Sequence, residues 1–163
     1  MSTGPSFRAA TEADAAELLV FMREYYAFDG HGYDEAKARV ALTALLRDSS
    51  LGRVWLILDG QTRAGYVVLC FGYSLEWLGR DAFVDELYLR EQYRGRGWGR
   101  HALDYVEGEA RIHGIKVLHL GVVEGNTRAL KLYRELGFIE HTSTFLSKWI
   151  APESTKPQGR HGY

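Results

Sequence analysis

Residues 92–101 read QYRGRGWGRH. Glycine takes every second position, at Gly95, Gly97 and Gly99, and Arg94, Arg96 and Arg100 fill the gaps and the flanks. Glycine leaves no side chain in the way and reaches backbone angles closed to other residues. Just before this stretch, DAFVDELYLR at 81–90 has the composition of a strand; just after it, a helical pattern runs to about Gly114. A turn from strand to helix gathers unpaired amides at the helix start, where the helix dipole adds roughly half a positive charge. Arginine matches phosphate oxygens geometrically. The loop therefore reads as a cradle for a pyrophosphate.

The rest of the chain decides what surrounds that loop. FRAAT, near Phe7, reads as a short first strand. Thr11 with Asp14 three residues on forms a capping box ahead of Ala15, Leu18, Leu19, Phe21 and Met22, the apolar stripe of a first helix. Asp34 caps a second helix with stripe residues Ala38, Val40, Ala41, Ala44 and Leu45. RVWLILDGQTRAGYVVLCFGY, at 53–73, is two β-rich runs about Asp59-Gly60, a hairpin signal. KVLHLGVV at 116–123 reads as a buried strand, NTRALKLYRELGF at 126–138 as a helix closed by Gly137, and FIEHTSTFLSKWI at 138–150 as a last strand or strand pair. The order β-α-α-β-β-β-α-β-α-β is an α+β pattern with an antiparallel meander in the middle. A doubly wound nucleotide fold would alternate β and α from its start.

Three phosphate loops compete for the glycine–arginine stretch. A P-loop needs Lys and Ser/Thr after its last glycine, and neither follows Gly99. A dinucleotide fingerprint needs its third glycine one position later. The third pattern, Arg/Gln-x-x-Gly-x-Gly/Ala, is met by Arg94, Gly97 and Gly99. That pattern resembles the acetyl-CoA pyrophosphate loop of the GNAT N-acetyltransferase family. AFVDELYL at 82–89 resembles the family's central strand, with acidic residues shortly before the loop. GVVEGNTRALKLYRELGF at 121–138 resembles its second signature, with Asn126, Ala129, Tyr133 and a Leu-Gly-Phe end. The resemblance covers residues 7–150, and residues 65–99 are most similar to the diamine (spermidine/spermine-like) branch.

The resemblance implies an α+β GNAT fold: a mixed central sheet of about six or seven strands, splayed between the fourth and fifth, flanked by about four helices. It implies one acetyltransferase domain over residues 1–150, with 151–163 as a mobile tail. It implies acetyl-CoA as cofactor, held by the backbone from Arg94 through Gly95, Arg96, Gly97, Trp98 and Gly99 to Arg100, by Leu87, Tyr88 and Leu89 along the strand, and by Asn126, Ala129 and Tyr133. An arm of amides can pair with an open strand edge as another strand would, and the amide of Leu87 is the expected donor to the thioester carbonyl. Tyr133, two helical turns after Asn126, is the implied general acid toward the departing sulfur.

An amine of lysine type, with a solution pKa near about 10.4, attacks only after losing a proton. Asp85 and Glu86 are adjacent, so an unbroken strand turns them to opposite faces, and a bulge would upset that parity. Either one can serve as the base, directly or through a water. By position relative to the loop, Asp85 matches the residue that contacts amine in the diamine branch.

The loop after the first helix, EYYAFDGHGYD at 24–34, is the expected acceptor wall, with Tyr25, Tyr26 and Asp29 as substrate contacts. Glu76, beside Trp77, and Asp85 are the expected contacts opposite. Residues 1–50 carry eight acidic against five basic residues, which favours a cationic acceptor. The reading is N-acetylation of a small primary amine by direct attack in a ternary complex. Acetylation of a peptide N-terminus or protein lysine, and a non-catalytic CoA-sensing module, are the alternatives.

Bulk properties bound the partners. The chain has 163 residues and a net charge of −1, which gives no field for nucleic acid or membrane. The first residues lack the basic and apolar run of a secretory signal, and one cysteine, Cys70, forms no internal disulfide, so a cytoplasmic location is expected. The six histidines show no ligand spacing, so no metal is expected. Cys70 reads as a buried strand residue. Family members often dimerise, and TFLSKWI at 144–150 could supply an edge for a homodimer.

Overall fold

The structure, a computed structural model, describes residues 4–157. It opens with β1 (Ser6–Ala9), α1 (Ala15–Phe28) and α2 (Glu35–Arg47), then β2 (Gly52–Asp59), β3 (Thr62–Ser74) and β4 (Gly79–Leu89). It continues with α3 (Trp98–Ile112), β5 (Val117–His119) and α4 (Thr127–Glu135). The strands form one sheet in the order β1-β2-β3-β4-β5, antiparallel except for the parallel β4–β5 pair.

Local chemistry sets the helix starts. Asp14 accepts the Thr11 amide at 2.9 Å ahead of α1, and Asp34 accepts the Lys37 amide at 3.2 Å at the start of α2. Gly60, with φ +58°, turns the β2–β3 hairpin, where Asp59 pairs with Thr62. Two layers of helix cover the sheet. Leu18, Leu19, Phe21 and Met22 of α1 and Leu42 of α2 pack on Val54, Leu56, Tyr66, Val68 and Tyr88. Leu103, Val106 and Ala110 of α3 pack on Trp55, Val67, Leu69, Ala82 and Val84 of the other face.

Two features of β4 position the site. Glu86 pairs with Val68 but Val84 pairs with Leu69, so Asp85 is the extra residue of a bulge. Ala82 and Val84 face α3, whereas Tyr88 faces α1, and the change of face occurs at Asp85. The β4–β5 ladder runs from Asp81↔Val117 to Phe83↔His119 and stops there, while β4 continues to Leu89. Beyond Phe83 the two strands part, and the second half of β4 has an open edge.

The sheet departs from expectation in its last third. It has five strands among the described residues, not six or seven. The run at 116–123 yields three strand residues, Val117–His119, all half-buried, and Val122 and Val123 are exposed. Residues 138–150 form no strand although their composition is β-rich. A strand is a pairing rather than a local preference, and this segment has no ladder to join. Of the expected tail, residues 158–163 lie outside the described residues. Within the remainder, Glu153–Thr155 form a 3-10 turn and Lys37 Nζ donates to the Lys156 carbonyl at 3.4 Å.

Candidate active site

The bulge turns Glu86 toward α1 and buries it, with 6 % of its surface exposed. A buried carboxylate needs partners, since its desolvation is costly without them. Tyr26, on the last turns of α1, donates to Oε1 at 2.6 Å, and Tyr66 of β3 donates to Oε2 at 2.6 Å. Tyr66 is itself wholly buried, and burial together with the Glu86 charge pushes its phenol well above the usual range. It therefore remains a donor at any physiological pH. Asp85, the bulged residue, is exposed beside Glu86. Sequence parity left these two acids undivided; the bulge separates them into one buried and fixed and one at the surface.

Leu87 and Leu89 face α3 and the core below the loop. The Arg90 amide donates to the Ala64 carbonyl of β3 at 2.9 Å. Antiparallel strands alternate the direction of their backbone groups, so those of Leu87 and Leu89 point away from β3, onto the open edge. Tyr88 lies between them, facing α1, where its hydroxyl donates to Glu24 at 3.2 Å. Arg90 grips the same Glu24 through both carboxylate oxygens at 3.0 Å, which fixes the end of β4 to α1.

That edge leads into the glycine loop. Gly95 and Gly97 have φ of +73° and +78°, and Gly97 is the N-cap of α3. A β-carbon on Gly97 or Gly99 would meet nothing within 4 Å, and one on Gly95 would meet the Arg128 guanidinium at 3.7 Å. The side-chain positions of Gly97 and Gly99 thus open onto free space, which leaves room for a ligand to approach the α3 start. The loop's own side chains are less free than the sequence implied. Arg94 donates from Nε to the Leu89 carbonyl at 2.7 Å and lies over Phe28, its guanidinium carbon 4.1 Å from the ring centroid. Arg96 sits over Tyr93, Arg100 pairs with Glu135 of α4, and Trp98 is buried against Tyr93.

At α4 the Asn126 side chain accepts the Ala129 amide at 3.1 Å and caps the helix. Tyr133, seven residues on, is half-buried against Leu132, Leu136 and the α3 face, with Phe138 edge-on at 6.0 Å. Desolvation raises its pKa, so the phenol holds its proton.

The expected acceptor wall is built mainly from α1. Tyr25 and Tyr26 lie within that helix and pack with Tyr33 and Tyr88 in tilted and edge-on contacts, ring centroids 5.6–5.8 Å apart. Asp29, just past the helix end, pairs with His31 at 3.1 Å. Glu76 does not join them. It lies in the turn between Ser74 and Gly79, seven residues along β4 from Glu86, roughly 23 Å at a strand's rise of about 3.3 Å per residue. Its neighbour Trp77 packs instead on His119 and His141. Cys70, near Asp85 and Glu86, is no nucleophile: burial and those charges push its thiol up to about 12.

Three residues that sequence reasoning passed over belong here. Arg128 reaches Gly95 from the start of α4, and its place two residues after Asn126 was the available signal. Tyr66 and Glu24 hold Glu86 and Arg90 from 20 and 66 residues away, and nothing local in the sequence marks them.

The chain is similar to known proteins in sequence and in fold. A cattle protein named thialysine N-epsilon-acetyltransferase is 36% identical over 79 residues, 48% of this chain and 46% of that protein. The mouse protein of the same name is 27% identical over 139 residues, 80% of this chain and 81% of its own. The match thus spans about half the length of the cattle relative. An integron cassette protein from the mobile metagenome of Cole Harbour Salt Marsh has a solved structure that superposes with a TM-score of 0.81 at 32% identity, covering 92% of this chain and 93% of its own. The model of the acetyltransferase (GNAT) family matches residues 18–138, a span that takes in α1, the β4 bulge, the glycine loop and α4. The chain belongs to the acetyltransferase (GNAT) family.

Proposed function

We propose that this protein is an acetyl-CoA-dependent N-acetyltransferase whose acceptor is the primary amine of a small aminoalkyl substrate. The observation that carries the reading is the β4 bulge. It sets a buried, doubly hydrogen-bonded carboxylate, Glu86, next to Leu87, whose backbone faces the open edge leading to the Gly95–Gly97 cradle. The residues present fit the cofactor: glycine amides at the start of a fifteen-residue helix for the pyrophosphate, Arg128 beside them, and, for an amide-bearing arm, a length of β4 edge that pairs with no strand among the described residues, where only the Leu89 carbonyl is taken, by Arg94. Acetyl-CoA, when bound, supplies an activated acyl group.

The chain's own groups divide the remaining work. The Leu87 amide is the fixed donor at the edge, a kind of group that stabilises growing negative charge without reorganising. Asp85 and Glu86 are the proton acceptors for an ammonium that must become an amine, Glu86 held in place by Tyr26 and Tyr66 and Asp85 reachable from solvent. Tyr133 retains its proton and is the acid. Tyr25, Tyr26 and Tyr33 gather aromatic rings on the side of α1 that holds the buried carboxylate, a surrounding that suits a cationic alkylamine. The relatives named for the ε-nitrogen of thialysine support an acceptor of this class.

Tyr133→Phe tests the assignment. Turnover with a small amine should fall by about 10²-fold or more, the range of a lost general acid, while the KM for acetyl-CoA stays near that of the parent. Equal losses in both parameters would remove Tyr133 from the acid role.

A further inference from the structure

All but two of the described arginines bring the guanidinium to a carboxylate or a backbone carbonyl oxygen. The two are Arg96 and Arg128, which have no such partner among the described residues and lie exposed. Both stand at Gly95. Arg128 brings Nη2 to 3.7 Å from the place of a Gly95 β-carbon, and Arg96 is the next residue along the loop.

Their neighbours set these positions. Arg96 lies over the ring of Tyr93, its guanidinium carbon 5.8 Å from the centroid, and Tyr93 is itself buried against Trp98. Arg128 is on the first turn of α4, which Asn126 caps and which the Arg100–Glu135 pair ties to the start of α3. Two elements thus bring like charges to one glycine, an arrangement that an anion relieves. The other loop arginines are engaged, Arg94 with the Leu89 carbonyl and Arg100 with Glu135. Full positive charge at the loop is left to Arg96 and Arg128.

The anion follows from that charge, on the reading above that the cofactor is acetyl-CoA. Its pyrophosphate calls for amides and a partial charge, which the α3 start supplies. Its ribose carries a further phosphate, a monoester with a charge of about −1.5 to −2 at pH 7 and three terminal oxygens. Two guanidiniums balance that charge and offer forks of donors to those oxygens. We infer that Arg96 and Arg128 together hold the ribose phosphate of acetyl-CoA, and that they make the protein select CoA thioesters over carriers lacking that phosphate.

Calorimetric titration with CoA and with 3′-dephospho-CoA tests this without turnover. The parent should bind CoA at least about tenfold more tightly than the dephospho compound, as charge-assisted hydrogen bonds to one group allow. Arg96→Gln and Arg128→Gln should each cut that ratio about threefold or more, and the double variant should bring it to within about twofold of equality. Both side chains are exposed, so the fold should survive the exchange. Arg111→Gln removes the same charge from the far end of α3, about 20 Å away, and should keep the parent's ratio. A parent that binds the two compounds equally overturns the inference. So does a double variant that keeps the parent's ratio while both affinities fall, which would move the arginines to the pyrophosphate, and so does an Arg111→Gln ratio that falls as far. A parent that binds neither compound removes the cofactor reading itself, and the inference with it.

Discussion

Removing one oxygen from the middle of the sheet tests whether Glu86 is held as described. Tyr66→Phe keeps the ring, which is 1 % exposed and fills the space between α1 and the sheet, so no cavity opens. It removes the donor at 2.6 Å from Oε2 and leaves Tyr26 on Oε1. A hydrogen bond to a charged group is worth about 1.5–3 kcal/mol net, and here the loss leaves a buried oxygen without its phenol. For a chain of this size each kcal/mol moves the melting midpoint by about 2–4 °C, so a fall of about 3–12 °C is expected. Urea unfolding of the parent, Tyr66→Phe, Glu86→Leu and the double variant closes a mutant cycle, in which the coupling should be about 1.5–3 kcal/mol. Turnover should fall with little change in the KM for acetyl-CoA. A loss of stability under about 0.5 kcal/mol, with zero coupling to Glu86, would refute the anchoring.

Other consequences can be checked alongside. Gly97→Val should abolish acetyl-CoA binding by calorimetry in a protein that remains folded, since φ of +78° at the α3 cap excludes a branched residue; normal binding would break the cradle assignment. The hydrogen bonds from Arg8 hold Asp14 below its ordinary range, so its contribution is full above about pH 4 and lost as pH falls through the lowered pKa. Asp14→Asn should therefore cost about 1–2 kcal/mol at neutral pH, toward the low end because Arg8 is 44 % exposed, and progressively less as pH falls below about 4. Cys70 should react slowly with thiol reagents at about pH 8 in the folded protein, where partial burial and the nearby carboxylates push its thiol up to about 12, and faster in denaturant; equal rates would contradict that shift.

Elements that announce themselves through caps, turns and periodic apolar stripes were legible in the sequence. The Thr11–Asp14 box, the Asp34 cap and the Gly60 hairpin all stand where the residues put them. The glycine loop and its strand–helix context were legible for the same reason. What depended on pairing was not. The bulge at Asp85 comes from how β3 and β4 register, and it alone reverses the parity that fixes Glu86. Tyr66 and Glu24 act across distant chain positions. Glu76 was grouped with the acceptor wall by charge, and the length of β4 carries it to the other end of the hairpin. Residues 138–150 have a strand's composition without a strand's partner.

The central claim is acyl transfer to a small amine, and thiol release from acetyl-CoA measures it most directly. Purified protein would be assayed at about pH 8, where the free-base fraction of such an alkylamine is still only roughly 0.4 % but about ten times that at pH 7, so that the enzyme's base is still required. Thialysine, lysine, putrescine, spermidine and a lysine-bearing peptide would be compared. The account predicts saturable release with at least one small aminoalkyl compound, and release reduced at least tenfold in Glu86→Gln. Release with the peptide alone, or none with any amine from a protein that binds acetyl-CoA, would contradict it.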